Sequence, residues 1–311
     1  MTRLRVVFFG SPAFAVPSLR AVAAAAGAEL VAVVSQPDRP AGRGQAQAAP
    51  AVKIAAGELG VPVLQPEKVR TPETAAALAA FAADLFVVVA YGRILPQSLL
   101  DMPRLGAYNV HASLLPQLRG AAPIQWSIIR GDSETGVSIM RMEAGLDTGP
   151  VAATRRLAIA DDDTTGTLSV KLADLGAGLL AETLPAIAGD RVRLTPQDEA
   201  AATLAPLLTK ADGRLRFDRP ARVVSAQARG VDPWPGASAM LDNEPLKFFQ
   251  PHVVDGAGRP GEVLGLRGEG LVIACAEGAI AFDELQLPGR KRLPAGSVLL
   301  GRPIATGTVL T

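Results

Sequence analysis

The sequence predicts an α/β protein: a doubly wound, mostly parallel sheet followed by a small, OB-like C-terminal β-barrel. Three observations carry this. An apolar run at residues 4–9 is followed by Gly10-Ser-Pro-Ala and a helical pattern over 14–26, the strand, turn and helix of a βα unit. A second run, at 85–90, is apolar without interruption, as in a strand covered on both faces in the middle of a parallel sheet. Beyond residue 205 short apolar runs alternate with Gly, Pro, Asp and Asn, which is the texture of a small all-β barrel.

Taken in order, Ser11 reads as an N-cap and Pro12 as the first helical residue. The turn lacks the second and third glycines that bring a pyrophosphate against the backbone, so it is no dinucleotide fingerprint. Residues 30–34 form a second buried strand that runs into Ser35-Gln-Pro-Asp-Arg-Pro-Ala-Gly-Arg-Gly44, a loop longer than the usual connection and hence a functional candidate. Helices follow at 52–60 and 72–83, and the strand at 85–90 ends in Tyr91 and Gly92. Ligands of open α/β sheets bind at the carboxyl ends of strands, which puts Tyr91 and Gly92 on one rim with Asn109 and His111, at the end of the apolar run 106–110. A helix at 122–130, an alternating run at 137–142 and a strand at 151–158 come next. In the long helix at 167–188, Leu168, Leu172, Leu175 and Leu179 keep helical spacing and form a core stripe. Residues 190–205 have no period and read as a linker between a first domain, 1–189, and a second, 206–311. The second domain opens on a helix at 223–229, followed by strands at 246–249, 261–266, 271–274 and 279–287.

At 311 residues the chain buries a full core and accommodates two domains. A net charge of +1 requires any nucleic-acid partner to be met by a local patch. Cys275 is the one cysteine, which excludes an internal disulfide and a cysteine-based zinc site and predicts a reducing compartment. The N-terminal apolar stretch is too short for a signal peptide, and no run approaches the ~20 residues of a membrane span. A cytoplasmic monomer without a metal is the expectation.

Chemistry concentrates in residues 109–150. Asn109 and His111 are two residues apart, so on a strand they point to the same side. Asp147 sits in a Gly-Leu-Asp-Thr-Gly turn after the second alternation; if the two runs are neighbouring strands, an amide, an imidazole and a carboxylate meet. Singly, each residue type serves as readily to cap a strand or form a turn. The combination weighs more, because the chain holds only two histidines and one is here.

The same segment resembles the signature of the folate-dependent formyltransferases: Asn109-x-His-x-Ser-Leu-Leu-Pro116, then Arg119-Gly-Ala-Ala-Pro-Ile124, then Leu146-Asp-Thr-Gly149. The likeness is strongest to the branch acting on methionyl-tRNA, through the Gln36 to Gly44 loop, the separate C-terminal barrel, Asp232-Pro-Trp-Pro-Gly236 and Leu287-Pro-Gly-Arg-Lys-Arg292. The resemblance implies a formyl transfer from 10-formyltetrahydrofolate to the amine of initiator methionyl-tRNA, with Asn109, His111 and Asp147 catalytic. It assigns the folate to Tyr91, Gly92, Ser113, Leu114, Leu115 and Pro116, and the tRNA to Arg39, Arg43, Arg290, Lys291 and Arg292. The chain departs from the family pattern at Gln45 and Gln47, at Ala112 and at Gln117-Leu118. Alternatives are a formyltransferase acting on glycinamide ribonucleotide or an amino sugar, and, in another class, a catalytically silent folate- or RNA-binding protein.

Overall fold

A computed structural model describes residues 3–41 and 46–311. The chain forms two compact units, one of residues 1–123, 135–157 and 169–205, the other of 124–134, 158–168 and 206–311. Residues 190–205, read as a linker, lie in the first unit, where Thr195 and Val151 exchange backbone hydrogen bonds of 2.9 and 2.8 Å.

The first unit is built on strands β1 (Leu4–Gly10), β2 (Ala28–Val34), β5 (Val63–Leu64), β6 (Leu85–Val89), β7 (Ala107–His111), β8 (Glu134–Arg141) and β9 (Val151–Ala158). They form one sheet in the order β5-β2-β1-β6-β7-β8-β9. Pairing is parallel from β5 to β7, and β7 pairs antiparallel with β8. Helices α1 (Val16–Ala24), α2 (Ala51–Glu58), α3 (Pro72–Ala79) and α4 (Gln97–Leu100) make the crossovers, and a short ribbon, β3 (Arg39–Ala41) and β4 (Ala46–Ala48), stands between β2 and α2. Every residue of β6 is buried, as its uninterrupted hydrophobicity predicts. β1 leads to β2 on one side and is flanked by β6 on the other, so strand order reverses at β1. In open sheets a crevice forms there, at the carboxyl ends.

Ser11 differs from its predicted role. The helix start is irregular, a 3-10 turn at Ala13–Ala15 capped by no side chain, and the Ser11 hydroxyl instead accepts the backbone N–H of Gln36 at 3.0 Å. Gln36 in turn donates to the Tyr91 carbonyl at 3.0 Å, tying the turns after β1, β2 and β6 together.

Helices α5 (Pro123–Ile129) and α6 (Thr165–Ala188) precede the second unit's main run, which contains α7 (Ala221–Gly230) and strands β10 (Ala237–Leu241), β11 (Glu244–Val254), β12 (Val263–Arg267), β13 (Gly270–Ala274), β14 (Ala279–Gln286) and β15 (Leu293–Pro294), then α8 (Ala295–Gly301). The sheet order is β10-β11-β14-β13-β12, with β15 on β14. Its core includes Phe217, Phe248 and Phe282, with ring centroids 6.5 and 4.8 Å apart. α7 packs against β11 and buries Ala221, Val224, Ser225 and Ala228 at helical spacing. The C-terminal segment closes the barrel: Thr311 exchanges hydrogen bonds with Met240 of β10, while Gly307 and Leu310 donate to Val263 and Gly261 at the β12 edge, each at 2.9 Å. An exposed pair of sheet edges is thereby removed.

Leu310 is buried at the centre of that closure. Truncating it leaves a cavity at the seam, so Leu310→Ala is expected to cost about 2–5 kcal/mol of the second unit's stability. Urea denaturation followed by the fluorescence of Trp234 measures it, and an unchanged midpoint contradicts the closure.

Candidate active site

Strand period places Asn109 and His111 on one side of β7, at the carboxyl edge where the parallel part of the sheet ends. β8 is the antiparallel neighbour, with Asn109 opposite Met140 and His111 opposite Ser138. The loop after β8 folds back on itself to present Asp147. Gly149 makes this possible, because a Cβ there would lie 1.8 Å from the Arg141 carbonyl oxygen. Asp147 itself adopts a left-handed backbone at φ 52°, a conformation that aspartate tolerates better than most residues.

The three predicted residues meet. Asn109 Nδ2 is 3.5 Å from Asp147 Oδ1, and His111 Nδ1 is 3.7 Å from Asp147 Oδ2. His111 is buried, 5% exposed, and its other ring nitrogen, Nε2, lies 3.0 Å from the Leu118 carbonyl. A carbonyl only accepts, so Nε2 carries a hydrogen and Nδ1 is the nitrogen left to exchange a proton. The ring is therefore oriented by the Leu118 backbone, held at φ 58°, with Asp147 alongside. The Asp147 carboxylate is fixed by the Gly120 N–H, which donates to Oδ2 at 2.8 Å. Gly120 adopts φ 123°, and a Cβ there would stand 2.7 Å from the Ala205 carbonyl oxygen, so a side chain is excluded twice over.

The other predicted contacts divide by what they expose. Ser113 is fully buried; its hydroxyl donates to the Gln117 carbonyl at 2.6 Å and so folds the 113–117 loop. Ser138 of β8 supports the same loop, donating to Ser113 O at 2.8 Å and accepting from the Leu115 N–H at 3.1 Å. Leu115 is buried, whereas Leu114 and Pro116 are half-buried. Tyr91 is 2% exposed and packs edge-on against Phe9 at 5.5 Å; burial pushes its phenol up, and its hydroxyl has no hydrogen-bond partner among the described residues. At 91 and 113 it is backbone, with the neighbouring Gly92, that the rim offers. Apolar surface is available nearby in sequence: Ile94 is 66% exposed and Leu146, beside Asp147, 58%.

Arg39 is exposed on β3, and Arg43 lies outside the described residues. Just before β3, the Asp38 carboxylate takes hydrogen bonds from Gln65 at 2.7 Å and from Lys53 at 2.7 and 2.9 Å; these donors hold Asp38 below the usual carboxylate range. In the second unit Arg290 and Lys291 are exposed, but Arg292 is engaged, paired with Glu284 and stacked 4.1 Å over the Phe249 ring. The other histidine, His252, is at the exposed β11–β14 surface, 2.7 Å from Asp283. Cys275, directly after β13, is buried, its thiol pushed up to about 11 by burial.

Sequence reasoning missed Leu118, whose contribution is a carbonyl, and Gln197, whose amide donates to the Asp147 and Gly149 carbonyls at 2.8 and 2.7 Å. No local signal marks Gln197, fifty positions downstream of Asp147.

Residues 4–184 match the family described as "Formyl transferase", and residues 207–303 match "Formyl transferase, C-terminal domain". The chain is 49% identical over 311 residues to the methionyl-tRNA formyltransferase of Sorangium cellulosum, covering 99% of each. It is 47% identical over 310 residues to that of Citrifermentans bemidjiense, covering 100% of this chain and 97% of the relative. A solved structure of HypX from Aquifex aeolicus in complex with tetrahydrofolic acid shares the fold, with a TM-score of 0.65 at 19% identity over 99% of this chain and 51% of that one.

Gly149→Ala tests the loop's geometry. With a backbone oxygen in the way, the 145–149 loop is expected to shift and to cost about 1–3 kcal/mol of stability. Thermal unfolding together with a crystal structure of the variant checks it; an unmoved Asp147 at unchanged stability contradicts the reading.

Proposed function

The chain belongs to the formyl transferase family and, with relatives of that activity matching its full length, it formylates the free amine of methionyl-tRNA for translation initiation; we propose that the formyl group comes from 10-formyltetrahydrofolate and that Asn109, His111 and Asp147 carry the transfer. The observation supporting the residue assignment is the convergence of an amide, an imidazole and a carboxylate at the carboxyl edge of the sheet. A flat donor with a polar ring edge would find backbone groups at Tyr91 and Gly92 and half-buried Leu114 and Pro116, with exposed apolar Ile94 and Leu146 close by in sequence to Gly92 and Asp147.

The donor supplies an activated formyl carbon. The amine of the aminoacyl end is itself the nucleophile, so the chain needs no nucleophilic side chain, and the buried neutral thiol of Cys275 is not one. As the amine nitrogen bonds to the formyl carbon, negative charge grows on the formyl oxygen. Asn109 Nδ2 serves as its hydrogen-bond donor, together with His111 once Nδ1 is protonated. The amine loses a proton and the departing donor nitrogen gains one as its bond to the formyl carbon breaks. His111 Nδ1 is the exchanging group, and the Asp147 carboxylate 3.7 Å away balances the charge on the ring.

Asp147→Asn keeps the shape and removes the charge. Turnover is expected to fall by about 10²–10⁴-fold, the range of general acid–base groups, with the fold and donor binding retained. A formyl-transfer assay on charged tRNA beside donor calorimetry measures both, and near-full turnover rejects the assignment.

For the tRNA, Arg39 and Arg43 are assigned to the acceptor end and the second unit's basic loop to phosphates. Arg292 is already committed to Glu284 and Phe249, so the phosphate contacts rest on Arg290 and Lys291. Replacing both by alanine is expected to weaken tRNA binding and reduce the salt slope by about 1–2, since each phosphate contact contributes roughly 0.7–0.9. Filter binding across a salt series reads this; an unchanged slope removes the loop from the interface.

A further inference from the structure

Within the first unit, residues 195–205 run as a strap over the catalytic loops. Arg119 N–H donates to the Thr203 carbonyl at 2.8 Å, Ala205 N–H to the Arg119 carbonyl at 2.7 Å, and Leu118 N–H to Thr203 Oγ1 at 2.9 Å. One strap side chain reaches the Asp147 loop. Gln197 Nε2 donates to the carbonyls of Asp147 and Gly149 at 2.8 and 2.7 Å. Its Oε1 accepts from Arg119 Nε and Nη2 at 3.0 and 2.9 Å.

The orientation of this amide is unambiguous. A guanidinium only donates and a carbonyl only accepts, so the oxygen faces Arg119 and the nitrogen faces the loop. Arg119 is itself held: its side chain is 5% exposed and a fork of bonds at 2.9 and 2.8 Å joins it to Glu199, whose carboxylate holds the guanidinium above its ordinary value. Arg119, Gln197 and the loop carbonyls thus form a rigid chain. It ends on the carbonyls of the two residues either side of Thr148, Asp147 and Gly149, and Asp147 is the one in a left-handed conformation. The Asp147 carboxylate itself is held by the N–H of Gly120, the residue after Arg119.

We infer that Gln197, oriented by Arg119, is a positioning residue for the reaction: it locks the Asp147 backbone so that the carboxylate stands against His111 Nδ1 and Asn109. Gln197 acts on the chemical step through Asp147 and touches neither substrate. The inference rests on the reading of Asp147 as catalytic.

The test is a kinetic double-mutant cycle on the full chain. Gln197→Ala is expected to lower kcat by about 10- to 100-fold, since a misplacement near 1 Å costs on that order, while KM for methionyl-tRNA and the dissociation constant of 10-formyltetrahydrofolate stay at wild-type values. In an Asp147→Asn background the same substitution is expected to change kcat by less than about threefold, because a group acting through the carboxylate loses its effect when the charge is gone. A merely structural role predicts the opposite, a penalty of equal size in both backgrounds. Gln197→Glu, which has the same shape but turns an oxygen toward the two carbonyls, gives a second route through the cycle if the alanine variant has a lowered melting temperature; it is judged on the same numbers. Wild-type kcat in Gln197→Ala, or additive losses in the cycle, overturns the positioning role while leaving Asp147 catalytic. Full turnover in Asp147→Asn alone overturns the catalytic reading on which it rests.

Discussion

The site depends on holding one carboxylate in an unfavourable backbone conformation. A non-glycine residue in the left-handed region costs about 1–2 kcal/mol, and two such residues, Leu118 and Asp147, are used here. Each turns a polar group toward His111: Leu118 its carbonyl, Asp147 its side chain. Net hydrogen-bond contributions of about 0.5–1.5 kcal/mol each are of the size needed to offset this. Asp147 receives them from Gly120 at its side chain and from Gln197 at its backbone.

That arrangement explains why the motif is glycine-rich on both loops. Gly120 brings an N–H to the carboxylate while its α-carbon faces the Ala205 carbonyl, and Gly149 lets the returning chain lie against Arg141. These glycines are steric requirements of close backbone approach, distinct from the phosphate-cradling use of glycine at the end of the first strand in dinucleotide folds. The Gly10 turn serves a different purpose here: Ser11, Gln36 and Tyr91 join the turns after three strands, which fixes the rim from which the segment leading to β3 emerges.

Much of this was legible in the sequence because it depends on local period. The uninterrupted apolar run of β6 and the two-residue spacing of Asn109 and His111 translate directly into a buried strand and a shared face. What escaped depends on long-range backbone pairing. Residues 190–205 have no hydrophobic period, since Gln197 and Thr203 bond to loops 50 and 85 positions away and Thr195 to the first residue of β9. The sequence Ala-Ser-Ala-Met-Leu of β10 and the short tail at 306–311 carry too little alternation to read as strand partners, yet together they close the barrel. Likewise a run of three basic residues is not a patch of three free charges. Arg292 has its partner across the sheet, in Glu284, and lies over Phe249, which only the register of β11, β14 and β15 brings together.

The register of the three groups also bears on how the proposed proton transfers would run. Asp147 Oδ2 already accepts a 2.8 Å bond from Gly120, so it is anchored without a proton from the ring. His111 Nε2 is occupied by a carbonyl that cannot give a hydrogen back. A ring anchored on one nitrogen by an acceptor, and facing a carboxylate at 3.7 Å with the other, is free to gain and lose its second hydrogen without turning. The separation exceeds direct hydrogen-bond length, so the carboxylate does not tie up Nδ1. In the proposed transfer the carboxylate faces the ring while leaving that nitrogen open to the reacting groups, so a rigid Asp147 is worth more to that reading than a close one.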